Sequence, residues 1–496
     1  MRTALLLSIL ALFLPGPARA FCGFYVSGAS ADLYNNASMV VLAREGTRTV
    51  VSMQNNYEGP PQDFALVIPV PEVLREKNVR TVPRALFDKI DTLSAPRLVE
   101  YWEQNPCPAG LTKEFLERIP TGRDYQSTVA MAAGISRQKV KVEAEFDVAE
   151  YQIVVLSARD SGALEGWLRQ HRYNIPSGAA AVLAPYVATG TKFFVARVNL
   201  EKVLYQDGQA VLTPLRFYYD SDTFSLPVRL GLLNSGGDQD LIVTVLAEDR
   251  YEVANYNNAF IPTNLRVKDS AREQFGALYN GLFRRAAGTD GRTVVTEYAW
   301  SSGSCDPCPG PALVSEDVYN LGGDVLSWGP ELRPTLTRLH YRYNPSTLGQ
   351  DLVFRRASPV VGGRGVPDPI GRLLEQVPTA NASNQFQGRY VILHSWQGGL
   401  TCENPRRGVW GGPQGGSAWA GTAPSPLRGG TTEAATGAAL LQVLDEPLPG
   451  LEAEAPVGGC SALPGAGFGA AGGAAGGLVL ALSLLARRAR SSDKKV

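Results

Sequence analysis

From Met39 onward the chain is a succession of short apolar or alternating segments rich in Val, Ile, Tyr and Phe, separated by Gly, Pro, Asp and Asn. Residues of these types, with turn formers between them, suit strands better than helices. MVVLAR, Glu45-Gly46, RTVVSMQ, Gly59-Pro60-Pro61 and FALVIPV predict a three-strand meander. KVKVEAEFDV and YQIVVLSA predict two more strands, and KFFVARV, AVLTPLRFYY, FSLPVRL, LIVTVLAE and RYEVANY continue the series. RTVVTEYAW, LTRLHYRY, DLVFRRA and RYVILHSW extend it beyond residue 290. Closely spaced short strands favour antiparallel sheets, as a sandwich or barrel, over a parallel βαβ architecture.

Several short helices interrupt the strands. ALFDKIDTL after Pro83 and RLVEYWEQ after Pro96 predict a helical pair, each with Pro at a tolerated helix start. Asp160-Ser161 precedes ALEGWLRQHRY, where Leu164, Trp167, Leu168 and His171 fall at helical spacing, and Asn174-Ile175-Pro176 ends the run. AAAVLAPYV and AREQFGALYNGLFRR predict two further helices. The expected fold class is therefore α+β and β-rich, with a flexible stalk and one C-terminal hydrophobic helix. A boundary near residue 265 is expected to divide an N-terminal part, 21–265, from a C-terminal part, 266–402.

The two ends predict the compartment. Arg2, an apolar run from Ala4 to Leu14, Pro15-Gly16-Pro17 and Ala18-Arg19-Ala20 follow the order of a cleaved secretory signal over 1–20, with cleavage between Ala20 and Phe21. The approach to Cys22 is not that of a lipoprotein signal. Near the other end, the uncharged span 463–486 is followed by Arg487, Arg488, Arg490, Lys494 and Lys495, which predicts a membrane segment with its basic side cytoplasmic. Between them, 403–459 is rich in Gly, Pro, Ala, Ser and Thr and reads as a flexible stalk.

Cys460-Ser461-Ala462-Leu463-Pro464-Gly465, the Gly/Ala/Leu span and the Arg cluster resemble the myxobacterial C-terminal sorting signal. That resemblance implies a membrane protease that recognises 460–496, with Cys460 marking the processing or attachment region; the hydrophobic helix is then either kept as a membrane anchor or removed in the mature protein, as other hydrophobic tails are. Other residues resemble a bacterial exported family, domain of unknown function 2330. They are FCGFYV at 21, YEGPPQDFALVIPVP from 57, LFDKIDTLSAPRLVE from 86, SGSCDPCP from 302, LTRLHYRYNPSTLGQDLVF from 336 and YVILHSWQGGLTC from 390. This likeness spans 21 to about 402 and implies a family without assigning catalytic residues.

The precursor carries 47 basic and 47 acidic residues. Removing two Arg with 1–20, and five basic and one acidic residue with 464–496, leaves 40 basic against 46 acidic. A mildly acidic chain without a basic patch gives no reason to expect a nucleic-acid partner. In an exported chain cysteines read first as disulfide material. Setting Cys460 aside leaves Cys22, Cys107, Cys305, Cys308 and Cys402, an odd number, so at least one is free or paired elsewhere.

Cys305-Asp306-Pro307-Cys308 is the sharpest chemical motif, since a CxxC pair becomes a redox dithiol where a helix N-terminus lowers a thiol pKa. Ser301-Ser302-Gly303-Ser304 before it and Pro309-Gly310-Pro311 after it favour a rigid turn and a structural disulfide. Zinc would need Cys305, Cys308, His340, His394 and Cys402 to converge, and no second close Cys or His pair supports that. Asp220-Ser221-Asp222 and Asp238-Gln239-Asp240 lack the rest of a calcium loop and read as solvated turns. His171 reads as a helix-surface residue and His394 as a strand-end or core-rim residue. Trp102, Trp167 and Trp300 read as core, and Trp410 and Trp419 as more exposed. No cofactor is expected. The sequence thus predicts a non-enzymatic surface module for envelope structure, adhesion or ligand binding. Its expected partners are the membrane, a processing protease and an envelope or extracellular ligand. The rival is an exported enzyme, either a thiol oxidoreductase using Cys305 and Cys308 or a hydrolase with an unfamiliar site.

Overall fold

The hairpin Tyr34–Glu45/Arg48–Glu58 turns at Gly46, whose φ of +54° suits a residue without a side chain, and Glu45 pairs with Arg48 across it. Alternate residues face opposite ways along these strands. Val40, Leu42, Val51 and Met53 enter one core, whereas Val41, Ala43 and Val50 enter another on the reverse face. Burial on both faces explains why MVVLA is continuously apolar. The computed structural model in which these contacts are seen describes residues 24–26, 34–58, 65–107, 140–171, 178–206, 209–234, 237–329, 331–413 and 442–445.

The hairpin lies within an eleven-stranded central sheet. Strands Thr293–Ser301, Thr335–Tyr343 and Gln239–Ala247 pair antiparallel in that order, and Gln239–Ala247 then pairs parallel with Tyr34–Glu45. Leu215–Asp220 follows Arg48–Glu58 on the far side. A second, five-stranded sheet runs Phe24–Val26, Ala65–Val70, Lys192–Val198, Tyr151–Ala158 and Val140–Val148, all antiparallel. Ile68, Val155 and Phe194 of this sheet meet the Val40/Leu42 face of the central sheet. Helices Ser161–Gln170 and Ala179–Ala188 cover its outer face through Leu164, Leu168 and Leu183. On the outer face of the central sheet lie Arg84–Ser94, packed through Phe87 and Ile90, and Phe275–Ala287, packed through Leu278 and Leu282. The fold is β-rich α+β with mostly antiparallel sheets and short helices, and the described strands close no barrel.

Several sequence expectations are corrected. The third strand of the predicted meander, Ala65–Val70, belongs to the second sheet and pairs with Lys192–Val198. Its Leu66 and Ile68 face the central sheet while Val67 faces the helices, a two-sided burial that periodicity alone does not assign to a sheet. RLVEYWE is a strand, Arg97–Glu103, parallel to Arg389–His394 with Val99 opposite Val391. Pro96 opens a strand as readily as a helix, and Val99 and Tyr101 alternate into a core with Leu373 and Val391. The central sheet takes strands from both sides of residue 265.

Parts of the segment predicted as a stalk, 403–459, pack on the fold. Trp410–Gly411 pairs with Arg97–Glu103, and Val443 and Leu444 are buried beside the Phe275–Ala287 helix, with Leu444 bridged to Val267. These apolar side chains gain more from packing than the intervening composition suggests. Among the described residues no helix is long and apolar enough to cross a membrane. The predicted signal 1–20, the segment 463–486, and Ala20, Phe21, Cys22, Trp419 and Cys460 lie outside the described residues.

Candidate functional site

Past strand Thr293–Ser301 the chain makes a closed loop: Ser302 donates to the Pro334 carbonyl at 2.8 Å, and Leu313 donates to the Ser302 carbonyl at 2.9 Å. Cys305 and Cys308 are joined within it as a disulfide, around a cis Asp306–Pro307 bond. Arg97 and Gln387 grip the loop from below. Arg97 donates to the Pro307 carbonyl at 2.8 Å and to the Gln387 side chain, which in turn donates to the Asp306 carbonyl and to that of Gly363. The Arg97 guanidinium is buried, and desolvation lowers its pKa to about 10. Cys305 is half-buried against the core and Cys308 is exposed. No helix begins at the motif; the next one, Ser315–Val318, is a single turn further on.

Cys107 is bonded to Cys402, closing a separation of 295 residues. It sits in Asn105-Pro106-Cys107, a tripeptide like Asp306-Pro307-Cys308, where the Asn105 side chain accepts from the Cys107 N–H at 2.9 Å. Next to it, buried Glu103 accepts from the backbone N–H groups of Trp396 and Gly408 and from Arg407, within 3.1 Å. These hydrogen bonds hold Glu103 below its usual pKa although burial opposes them.

The densest cluster of charged groups was not foreseen. In strand Thr335–Tyr343, Leu339 and Tyr341 face the inter-sheet core, so Arg338, His340 and Arg342 point to the helical side. His340 Nε2 lies 2.8 Å from Asp240, and its Nδ1 lies 3.1 Å from Glu297 and 2.6 Å from the Tyr279 hydroxyl. Glu297 accepts from Arg338 at 2.8 Å and from Tyr279. Arg338 reaches Asp91 of the first helix at 2.8 Å, and Arg342 forms a two-point pair with Asp240 at 2.7 and 2.9 Å. Phe283 stacks on the His340 ring at 4.0 Å. Arg338, Arg342 and His340 thus face three carboxylates, with Arg338, His340 and Glu297 fully buried.

The electrostatics follow from that geometry. Burial opposes a charged imidazole, but Glu297 and Asp240 outweigh it and raise the His340 pKa. Both ring nitrogens face carboxylates, as suits an imidazolium with two donors. Burial likewise opposes the Glu297 and Asp240 carboxylates, yet His340 and the arginines hold both below the usual range. Burial pushes the Tyr279 hydroxyl well up, reinforced by Glu297.

The other predicted residues are dispersed. His171 is exposed at the end of its helix, stacked on Trp167 with ring centroids 3.8 Å apart. His394 ends its strand half-buried, 2.7 Å from Glu100, which also pairs with Arg272. Asp220 pairs with Arg48 and Asp238 accepts from Asn344, whereas Asp240 corrects the reading of its segment as a solvated turn. Trp102 and Trp410 are each half-buried. Among the described residues no three His, Cys, Asp or Glu side chains converge to hold a metal ion. An open hollow of about 270 Å³ near Arg44, Tyr251, Trp328 and Arg356 contains none of these cysteines or histidines. The cluster left one mark in the sequence: Arg338, His340 and Arg342 alternate with Leu339 and Tyr341.

No curated protein and no solved structure matches the chain. A family model described as an uncharacterized protein conserved in bacteria, DUF2330, matches residues 16–355. That stretch holds the His340 cluster, Cys107 and the Cys305–Cys308 loop, and stops short of Arg389, His394 and Cys402. The chain belongs to this bacterial family, domain of unknown function 2330.

Proposed function

We propose that the protein is an exported, non-enzymatic module of the bacterial envelope, held at the surface by its C-terminal segment and serving envelope structure, adhesion or ligand binding. The observation that carries this reading is the Cys107–Cys402 disulfide, which ties the first part of the chain to the last in a covalent closure suited to an oxidising compartment. The His340 cluster supports it from another side: its charged groups pair with one another under two helices and act as the polar centre of the core. Fractionation of cells, followed by peptide mapping without reduction, tests the reading. The expected result is an envelope or surface fraction containing both disulfides, with the mature chain starting at Phe21. Recovery in the cytoplasm with reduced cysteines would overturn it.

Exposure of Cys308 favours one rival reading, thiol–disulfide exchange at Cys305–Cys308, because an attacking thiolate needs access. That reading requires the purified protein to accelerate reduction of a disulfide substrate and to lose the activity in Cys305→Ser.

A further inference from the structure

We propose that the loop between strands Val360–Gly362 and Thr379–Ala380 is a membrane-facing surface that seats its apolar side chains in the lipid interface. Val366, Ile370, Leu374 and Val377 are between 58% and 72% exposed, and neighbouring Val409 is 52% exposed. Single exposed apolar residues are ordinary, but a group on one loop marks an interaction surface. This loop is held firmly. Asp368 accepts from the N–H groups of Ile370 and Arg372, Gly363 donates to the Glu375 carbonyl, and Asn264 donates to the Arg364 and Leu374 carbonyls. Leu373 points inward to Val99, Tyr101 and Val391, so its neighbour Leu374 is turned outward. Trp410 donates to the Asp368 carbonyl at 2.9 Å and Gly408 lies against Pro369, which places Val409 beside the loop.

Two features select a lipid surface as the occupant. The charges on the loop are neutralised in place, Arg372 by Asp368 at 2.7 Å and Arg364 by Glu375 at 2.6 Å, so the apolar tips approach hydrocarbon without bringing an unpaired charge. The last of the described residues, Asp445, also lies at this spot. Asp445 pairs with Arg266 at 2.7 Å, and Arg266 lies beside Gly371. Only 17 residues separate Asp445 from Leu463, where the apolar span begins, a tether of at most about 60 Å. The inference rests on the reading of 463–486 as a membrane segment, and the test separates the two.

The full chain is incorporated into vesicles of phosphatidylcholine and phosphatidylglycerol doped with a diazirine-bearing phosphatidylcholine, irradiated, floated and mapped by peptide mass spectrometry. The expected result is lipid label on 366–377 above that on other exposed loops, falling at least about tenfold in Ile370→Asp/Leu374→Asp because two apolar contacts are lost. Label confined to 463–486 overturns the proposal while upholding the membrane segment. Label on 366–377 in protein that alkaline carbonate strips from the vesicles upholds the loop and removes the segment. Protein that does not float removes both. A loop covered by a second copy of the chain would escape lipid label and cross-link to itself, which also overturns the proposal.

Discussion

Glu297 has the most to lose from substitution, because it meets Arg338, His340 and Tyr279 with no solvent to replace them. Removing one member of a buried ion pair typically costs ~3–5 kcal/mol, since the partner charge stays buried and uncompensated. Glu297→Ala is expected to lose stability on that scale in urea unfolding, whereas Asp220→Ala, which breaks an exposed pair with Arg48, changes it by less than about 1 kcal/mol. The pH dependence has a definite sign. His340, with its pKa raised, contributes fully below its unfolded value of about 6.5, and the contribution is lost as pH rises through the folded value. Glu297 and Asp240, with theirs lowered, contribute fully above the ordinary carboxylate value of about 4, and this is lost as pH falls through the folded values. Unfolding midpoints measured from acid to alkaline pH are therefore expected to decline on the alkaline side less in His340→Gln than in the parent protein. The alternation of Arg338, His340 and Arg342 was legible in the sequence; their partners Glu297, Asp240 and Asp91 come from distant segments and were not.

The two disulfides differ in what they constrain. Cys305–Cys308 closes a four-residue loop and Cys107–Cys402 bridges a sequence separation of 295. Loop-closure entropy gives about 2 kcal/mol for the first and about 5 to 6 kcal/mol for the second. Cys107→Ala/Cys402→Ala is expected to lower the denaturation midpoint well beyond Cys305→Ala/Cys308→Ala, with equal effects counting against the entropic account. The rigid turn expected at CxxC is present, held by Arg97 and Gln387. Helices after Pro83 and Asp160 were legible because the first carries a strong one-sided apolar pattern and the second an N-cap, Asp160, accepting from Ala163 at 2.7 Å. Arg97–Glu103 was misread as helix because seven residues after a proline carry too few periods to separate the two geometries.

Across the whole molecule, the chain doubles back on itself: segments near residues 100, 265, 390 and 410 share one small sheet, and Val443-Leu444 docks beside it. Leu444→Ala is expected to cost about 2–5 kcal/mol, as for other buried leucines, and hydrogen exchange at Lys268, whose N–H donates to the Val443 carbonyl, should accelerate with it. A neutral effect would mean that this segment adds nothing to the fold. Strand-forming composition, most of the helices and the cysteine inventory could be read from the chain itself, because each depends on neighbours within a few residues. The sheet to which each strand belongs, the partners of Cys107 and His340, and the outward setting of Ile370 and Leu374 depend on contacts between segments hundreds of residues apart. Those contacts are made by packing, which local periodicity does not encode, so only the tertiary structure decided them.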